Sequence, residues 1–231
     1  MKNYFKLLTL VLCVGIYSCS KSDDSTSGGG GGGGDLEAQA TYRITFTTNW
    51  TETTHPTDYP SNASFGKVFL AAHSPAQNIF IPGSIASDGL KLYAEEGDLN
   101  DLINEHSGGE DNTAITIITG SSNVGTNTIV TFDINVTPTT TRISFVSKIS
   151  PSPDWFVGVN SFDLVNGDEL LESASVRLFP LDAGSDSGDS YESENSPEPG
   201  PILRIQGAPF ISNGDLQTTQ VGTLSIERID N

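Results

Sequence analysis

The chain contains two runs on which the prediction of its fold depends, PSPDWFVGV at residues 151–159 and LFPLDAGSDSG at residues 178–188. Each run places one carboxylate, Asp154 or Asp182, beside prolines that fix the backbone, and each adjoins an apolar segment typical of a β-strand. A carboxylate on a stiff loop at a strand end loses little chain entropy when it binds a cation. The two runs therefore predict strands joined by loops that present oxygen ligands.

Segments of alternating polarity surround these runs. Residues 42–48 alternate strictly, with three apolar side chains on one face, which is typical of a half-buried strand. Residues 127–136 and 141–149 show the same pattern, and the polar Thr-Pro-Thr-Thr turn at 137–140 predicts that these two strands form a hairpin. Further strands are predicted at residues 68–70, 155–159, 175–179, 202–205 and 221–229.

One region has helical character. Residues 88–96 and 98–106 predict two short helices that are broken at Gly97, with Asp98 as the N-cap of the second. Gly108 and Gly109 are expected to end it. Many strands with a single helical interruption predict an all-β fold, an antiparallel β-sandwich with a short two-helix insertion.

The segment 182–200 is acidic and rich in Ser, Gly and Pro, which predicts a long loop. Its other acidic side chains are expected to lie mostly in water, and they are Asp186, Asp189, Glu192, Glu194 and Glu198. Asp154 and Asp182 leave two interpretations open, since they either coordinate a cation or cap turns and lie in water. Hard oxygen ligands from separate loops suit calcium better than zinc. The spacing from Asp182 to Asp186 does not match an EF-hand.

The first residues resemble an export signal. Lys2 and Lys6 precede an apolar run too short to span a bilayer, and the run closes on Cys19 in a sequence that resembles a bacterial lipobox. We therefore expect a signal peptide at 1–19 that ends at a lipidated Cys19, although an ordinary cleaved signal with an incidental cysteine is the alternative. A glycine-rich tether at 20–40 and one domain at 41–231 follow.

The charge balance bears on partners and location. The formal net charge is −18, and loss of the two signal-peptide lysines brings it to −20. Such acidity argues against nucleic acid as a partner and is compatible with bound cations. An acidic pair soon after Cys19 resembles the signal that sends lipoproteins of the Bacteroidetes type to the outer face of the outer membrane. The expected location is therefore an outer-membrane lipoprotein exposed at the cell surface, with the periplasmic face as the alternative.

Several motifs together resemble the spondin N-terminal domain family of F-spondin and mindin. YRITF at 42–46, AAHS at 71–74, and SFVSKI at 144–149 leading into the 151–159 run all resemble family sequences. The resemblance covers essentially residues 41–230. It implies a C2-like β-sandwich, in agreement with the strand pattern.

The resemblance also implies a calcium site near one end of the sandwich. Its implied ligands are Asp154, Asp182 and the residue at the position of a family glutamate, which is Asn135 here. An amide oxygen can bind calcium but adds no negative charge, so Asn135 predicts a weakened site.

The expected function is that of a non-catalytic module for adhesion or matrix interaction. No serine lies in a Gly-x-Ser-x-Gly elbow, and Asp168 with Glu169 has the composition of a hairpin turn rather than of a glycosidase pair. The ligand is expected to be an extracellular protein or glycan. The alternative is a polysaccharide-binding accessory lipoprotein, for which exposed Trp50 and Trp155 would be the signature.

Overall fold

A computed structural model describes residue 36 and residues 39–107, 115–211 and 219–230 of the chain. These residues form thirteen β-strands and two helices. The first strands are β1 (Ala40–Thr48), β2 (Ser64–Phe65) and β3 (Phe69–His73), and the helices α1 (Asp88–Glu96) and α2 (Asn100–Ser107) follow. The remaining strands are β4 (Ile115–Thr119), β5 (Ile129–Val136), β6 (Arg142–Ser150), β7 (Trp155–Asp163), β8 (Val165–Asn166), β9 (Glu169–Leu170), β10 (Ser173–Leu178), β11 (Pro180–Asp182), β12 (Leu203–Arg204) and β13 (Gly222–Arg228).

Two antiparallel sheets form the sandwich. One has the order β10-β13-β1-β5, and the other has the order β12-β11-β7-β6-β3-β4 with β2 beside β6. Tyr42, Ile44 and Phe46 point inward from β1 and are fully buried among side chains such as Ile143 and Phe145 of β6. The period-two pattern of β1 therefore reports a strand with one buried face. The predicted all-β sandwich with a two-helix insertion is confirmed.

The two helices cover the outer face of the larger sheet. Leu90 and Tyr93 of α1 and Leu102 of α2 are completely buried, and they share a second apolar core with Val146 and Phe156 of the sheet. Strands β3 and β6 are consequently buried on both faces, so the burial of their side chains does not alternate, although the sequence of β6 does.

The helix ends follow the predicted capping only in part. The Leu90 backbone N–H donates to the Ser87 side chain, and α1 ends at Gly97, whose φ of 79° is in the left-handed region. The side chain of Asp98 accepts from Asn100 N at 2.9 Å, but α2 begins at Asn100 rather than directly after Asp98, so Asp98 lies one position before the N-cap position. The glycines expected to end α2 lie outside the described residues.

The structure corrects the predicted hairpin between β5 and β6. β5 pairs with β1 in the four-stranded sheet, whereas β6 pairs with β3 and β7 in the other sheet. The turn at 137–140 is therefore a corner between sheets. A second difference is β4, an edge strand without clear alternation that the sequence did not predict.

The signal peptide, the tether and Cys19 lie almost wholly outside the described residues, so their predictions are untested. In the part of the chain that the structure describes, neither helix is long and apolar enough to cross a membrane.

Candidate metal site

The two sequence runs meet at one end of the larger sheet. Asp154 lies in the turn between β6 and β7, and Asp182 is the last residue of β11. Because β11 is antiparallel to β7 with Asp182 opposite Trp155, the two carboxylates come from adjacent strand ends. Ser152 fixes the turn, since its hydroxyl donates to Ile149 O at 2.6 Å and accepts from Trp155 N at 3.1 Å.

The carboxylate of Asp154 is buried, and only one of its two oxygens accepts hydrogen bonds within the described structure. Its Oδ2 accepts from Ser185 N at 2.7 Å, from Ser185 Oγ at 3.1 Å and from Asp186 N at 3.1 Å. Its Oδ1 is buried without a hydrogen-bond partner among the described residues. Burial raises the pKa of Asp154, while the hydrogen bonds from Ser185 and Asp186 act to lower it. A buried carboxylate oxygen without a donor is costly unless a cation faces it.

Asp186 is a third carboxylate at this site, and the expectation that it lies in water is wrong. It is only 5% exposed. Its Oδ1 accepts from Gly188 N and its Oδ2 accepts from Ser196 N, each at 2.7 Å. These two hydrogen bonds fold the loop after β11 around the Asp186 side chain. The spacing from Asp182 to Asp186 was visible in the sequence, but only the fold turns both toward Asp154.

The three carboxylates repel one another electrostatically. Burial, followed by the negative charges of Asp154 and Asp186, raises the pKa of Asp182 to about 6. Lys148 is the nearby cation, and its Nζ donates to Ala94 O and, at 3.4 Å, to Ser152 O. Burial lowers the pKa of Lys148 to about 8, and the charges of Asp154 and Glu95 oppose that shift. The site therefore concentrates more negative charge than one buried lysine balances.

Asn135 does not join this site in the structure. It lies on the exposed face of β5, and its Oδ1 accepts from Thr41 Oγ1 at 3.0 Å. Asn135 lies next to the corner at 137–140, where β6 soon begins. Asp154 follows the other end of β6, and this strand of nine residues is about 30 Å long. Asn135 and Asp154 are thus at opposite ends of the sandwich.

The residues present fit a hard cation in chemistry and charge. Carboxylate oxygens are the ligands that calcium prefers, and Asp154 Oδ1 is an oxygen with no other partner. Within the described ranges, no three His, Cys, Asp or Glu side chains are gathered closely enough to form a complete cluster. A cation here would therefore rely on Asp154 and Asp182 together with carbonyl oxygens or water.

Gly184 allows the acidic loop to fold back on itself. Its φ is 71°, and a Cβ at this position would overlap the carbonyl oxygen of Gly200 and lie 2.8 Å from that of Pro201. Gly200 N donates to Gly184 O at 2.7 Å. The glycine of the Asp-Ala-Gly sequence is therefore required by a close backbone contact next to Asp182.

The other candidate residues have structural roles. Trp50 and Trp155 are at most 2% exposed and pack with Tyr191 and Phe210 in an aromatic cluster. His73 is fully buried, with its Nε2 at 2.8 Å from Ser144 Oγ. Asp168 lies in the two-residue turn of the β8–β9 hairpin, as predicted.

These features define a class of protein: an antiparallel β-sandwich module with helices on one sheet and a carboxylate-rich loop end. A family model described as Spondin_N matches residues 40–208. The chain belongs to the spondin N-terminal domain family.

Two kinds of spondin are among its relatives. The chain is 37% identical to human Spondin-2 over 163 residues, which cover 68% of this chain and 49% of that protein. It is 32% identical to rat Spondin-1 over 208 residues, which cover 82% of this chain and 25% of that protein. The matched region thus spans about half of Spondin-2 and a quarter of Spondin-1.

Proposed function

We propose that this chain is a lipid-anchored, non-catalytic adhesion or matrix-interaction module whose loop end is stabilised by calcium. The family membership supports an adhesion-type extracellular domain. The observation that carries the calcium proposal is the buried Oδ1 of Asp154, which has no hydrogen-bond donor in the described structure and lies near two further carboxylates. Calcium would offset this negative charge.

The ligand set of this proposal differs from the one expected from the sequence. Asp154 and Asp182 are the side chains that would hold the ion, and Asp186 contributes charge and closes the loop around them. Asn135 is not included, because it lies at the other end of the sandwich. A bound cation would hold the β6–β7 turn and the loop after β11 in one arrangement, which would keep the nearby binding surface rigid.

Calorimetric titration of the chain without its signal peptide tests the calcium site. Calcium should bind with a stoichiometry of one, and Asp182→Asn should weaken binding by about tenfold or more because it removes one ligand charge. Asp168→Asn is the matched control, since this carboxylate lies in the β8–β9 turn. Equal binding by Asp182→Asn and the unmodified chain would refute the proposed ligands.

The membrane anchor is a separate part of the proposal. It is supported by the sequence that ends at Cys19 and by the glycine-rich segment that follows. Metabolic labelling with an alkyne-tagged fatty acid should mark the chain but not Cys19→Ala. Protease accessibility on intact cells then distinguishes the cell surface from the periplasm. Labelling of Cys19→Ala at the normal level would contradict the lipidation of this residue.

Polysaccharide binding through exposed aromatic rings gains no support from the two tryptophans, since both are buried. In the described ranges, the exposed large apolar side chains are aliphatic, and they are Ile81, Ile85, Ile129, Leu203 and Ile229. The burial of both tryptophans therefore supports the adhesion proposal over polysaccharide binding through exposed aromatic rings.

A further inference from the structure

A pocket of about 420 Å³ opens between two loops away from the proposed calcium ligands. It is lined by residues 58–61 on one side and 190–192 on the other. This volume is within the range of about 300–1,000 Å³ that is usual for ligand sites. Pro60 and Tyr191 are buried and Tyr59 is half-buried, whereas the remaining lining side chains are exposed. The pocket therefore combines a largely aromatic floor with a polar rim.

The floor is held rigidly by the aromatic cluster beneath it. The ring of Tyr191 lies 5.6 Å from that of Trp50 and 5.5 Å from those of Trp155 and Phe210, measured between centroids. Tyr59 is fixed as well, because its hydroxyl donates to Trp50 O and also lies 3.0 Å from Thr126 Oγ1. A ligand that enters this pocket would meet surfaces that need little ordering.

The hydroxyl of Tyr191 is a buried polar group without a partner. Tyr191 is 4% exposed, and its oxygen forms no hydrogen bond in the described part of the chain. The Trp50 indole N–H acts to lower the pKa of this hydroxyl, but the two groups do not reach hydrogen-bond geometry. Burial raises the pKa of Tyr191, and the charges of Tyr59 and Asp58 raise it further. Native proteins rarely leave such a group unsatisfied without a functional reason.

The rim is negatively charged. Among the described residues that line it, Asp58 and Glu192 are the ionisable side chains apart from the tyrosines, and none is a lysine or arginine. Asp58 has a φ of 49°, in the left-handed region, so its backbone adopts a conformation that is uncommon outside glycine. The whole chain carries a formal charge of −18, which attracts basic partners over longer distances.

We propose that this pocket binds the ammonium or guanidinium group of a lysine or arginine side chain on a partner protein. Asp58 and Glu192 pair with the charge, and the tyrosine rings contact the alkyl stem and the cation. None of the proposed calcium ligands lines the pocket, and the loop that carries Tyr191 is also closed by the hydrogen bonds of Asp186, so binding does not require the calcium ion.

Nuclear magnetic resonance titration of the chain without its signal peptide tests this assignment. The probe is the blocked peptide acetyl-Gly-Lys-Gly-amide, compared with its norleucine analogue, in which a methyl group replaces the ammonium. The chain has two tryptophans, and the Trp50 indole resonance reports on the pocket through the contact of Trp50 with Tyr59 and Tyr191. The lysine peptide should shift it and residues 58–61 in both EDTA and calcium, and the norleucine peptide should bind at least about tenfold more weakly.

Three variants separate binding from folding. Asp58→Asn should weaken the lysine peptide about tenfold, and asparagine tolerates the left-handed φ at this position. Asp168→Asn should bind normally, because it removes the same charge from a distant turn. Tyr191→Phe should bind normally, since it keeps the ring that lines the pocket and loses only a buried hydroxyl.

Several results would overturn the proposal. They are equal binding of the norleucine peptide and equal weakening by Asp58→Asn and Asp168→Asn. Shifts of the same resonances by neutral oligosaccharides, but not by the lysine peptide, would assign the pocket to sugars instead.

Discussion

Asp154 and Ser185 are 31 residues apart in the chain, and both the backbone N–H and the hydroxyl of Ser185 donate to one oxygen of the Asp154 carboxylate. The other oxygen is buried without a donor in the described structure. The two halves of this side chain thus have different roles. Oδ2 joins the β6–β7 turn to the loop after β11, and Oδ1 remains available to a cation.

Calcium should raise the melting temperature of the chain without residues 1–19. A ligand at about 100 times its dissociation constant stabilises a protein by about 2.7 kcal/mol. For a domain of this size, that gain corresponds to about 5–10 °C. Differential scanning fluorimetry in EDTA and in millimolar calcium measures the shift, with magnesium as the ion control.

Asp154→Asn is the appropriate variant for this measurement. Its amide oxygen can keep the three hydrogen bonds that Oδ2 now accepts, whereas Asp154→Ala would leave three buried donors unsatisfied and destabilise the fold in any buffer. The calcium shift should disappear in Asp154→Asn and persist in Asp168→Asn. A full shift in Asp154→Asn would exclude Oδ1 as a ligand.

Asp182→Asn should stabilise the calcium-free chain at neutral pH. The pKa of Asp182 in the folded chain is about 6, above its ordinary value of 3.8, so folding favours the protonated form. The stability that depends on this proton is fully present below about pH 4 and is lost as the pH rises through 6. In EDTA, Asp182→Asn should therefore melt above the unmodified chain at pH 7.5, and the difference should vanish near pH 4.

At pH 7.5, calcium should make the unmodified chain melt above Asp182→Asn, because the ion neutralises the carboxylates in place of protons. Melting curves at several pH values, each in EDTA and in calcium, test both parts. A difference between the two chains in EDTA that does not change with pH would show that Asp182 does not carry the expected charge repulsion.

The sequence predicted the sandwich because its signals are local. The alternation of Tyr42, Ile44 and Phe46 and the glycine break at Gly97 depend on neighbouring residues, and both were confirmed. The partner strand of β5, in contrast, could not be predicted from neighbouring residues, because that strand is distant in the sequence. Residues 137–140 can turn the chain within one sheet or between two, and only the partner strand β1 decides between them.

The site was predictable only in part for the same reason. Asp154 and Asp182 follow prolines at strand ends, so their proximity could be inferred from the two runs and the family resemblance. The burial of Asp186 depends on Gly188 and Ser196, which lie in a loop without periodicity. Asn135 was implied by the position of a family glutamate, and a position in the sequence does not reveal which sheet a strand joins.

Lys148 should make the stability of the chain rise with alkaline pH. Its folded pKa of about 8 is below the ordinary 10.5, because burial disfavours the charged form. Its contribution to stability is therefore present in full above about pH 10.5 and is lost as the pH falls through 8. Relative to Lys148→Met, the unmodified chain should gain stability between pH 7 and pH 9.5.

Urea unfolding at several pH values measures this gain. The matched control is Lys67→Met, which makes the same substitution at an exposed lysine. Parallel curves for Lys148→Met and the unmodified chain would contradict the burial of the Lys148 ammonium beside Ala94 O and Ser152 O.

Gly184→Ala should be much more destabilising than Gly167→Ala, although both glycines have left-handed backbones, with φ values of 71° and 69°. An alanine in this conformation costs about 1–2 kcal/mol, which is the full cost expected at Gly167, where a Cβ would meet no atom within 4 Å. At Gly184 the Cβ would also overlap the Gly200 carbonyl, and such overpacking adds about 1–3 kcal/mol. Urea unfolding measures both variants, and Gly184→Ala should in addition weaken calcium binding, because it displaces the backbone next to Asp182. Equal losses of stability in the two variants would mean that the loop after β11 does not close against Gly200.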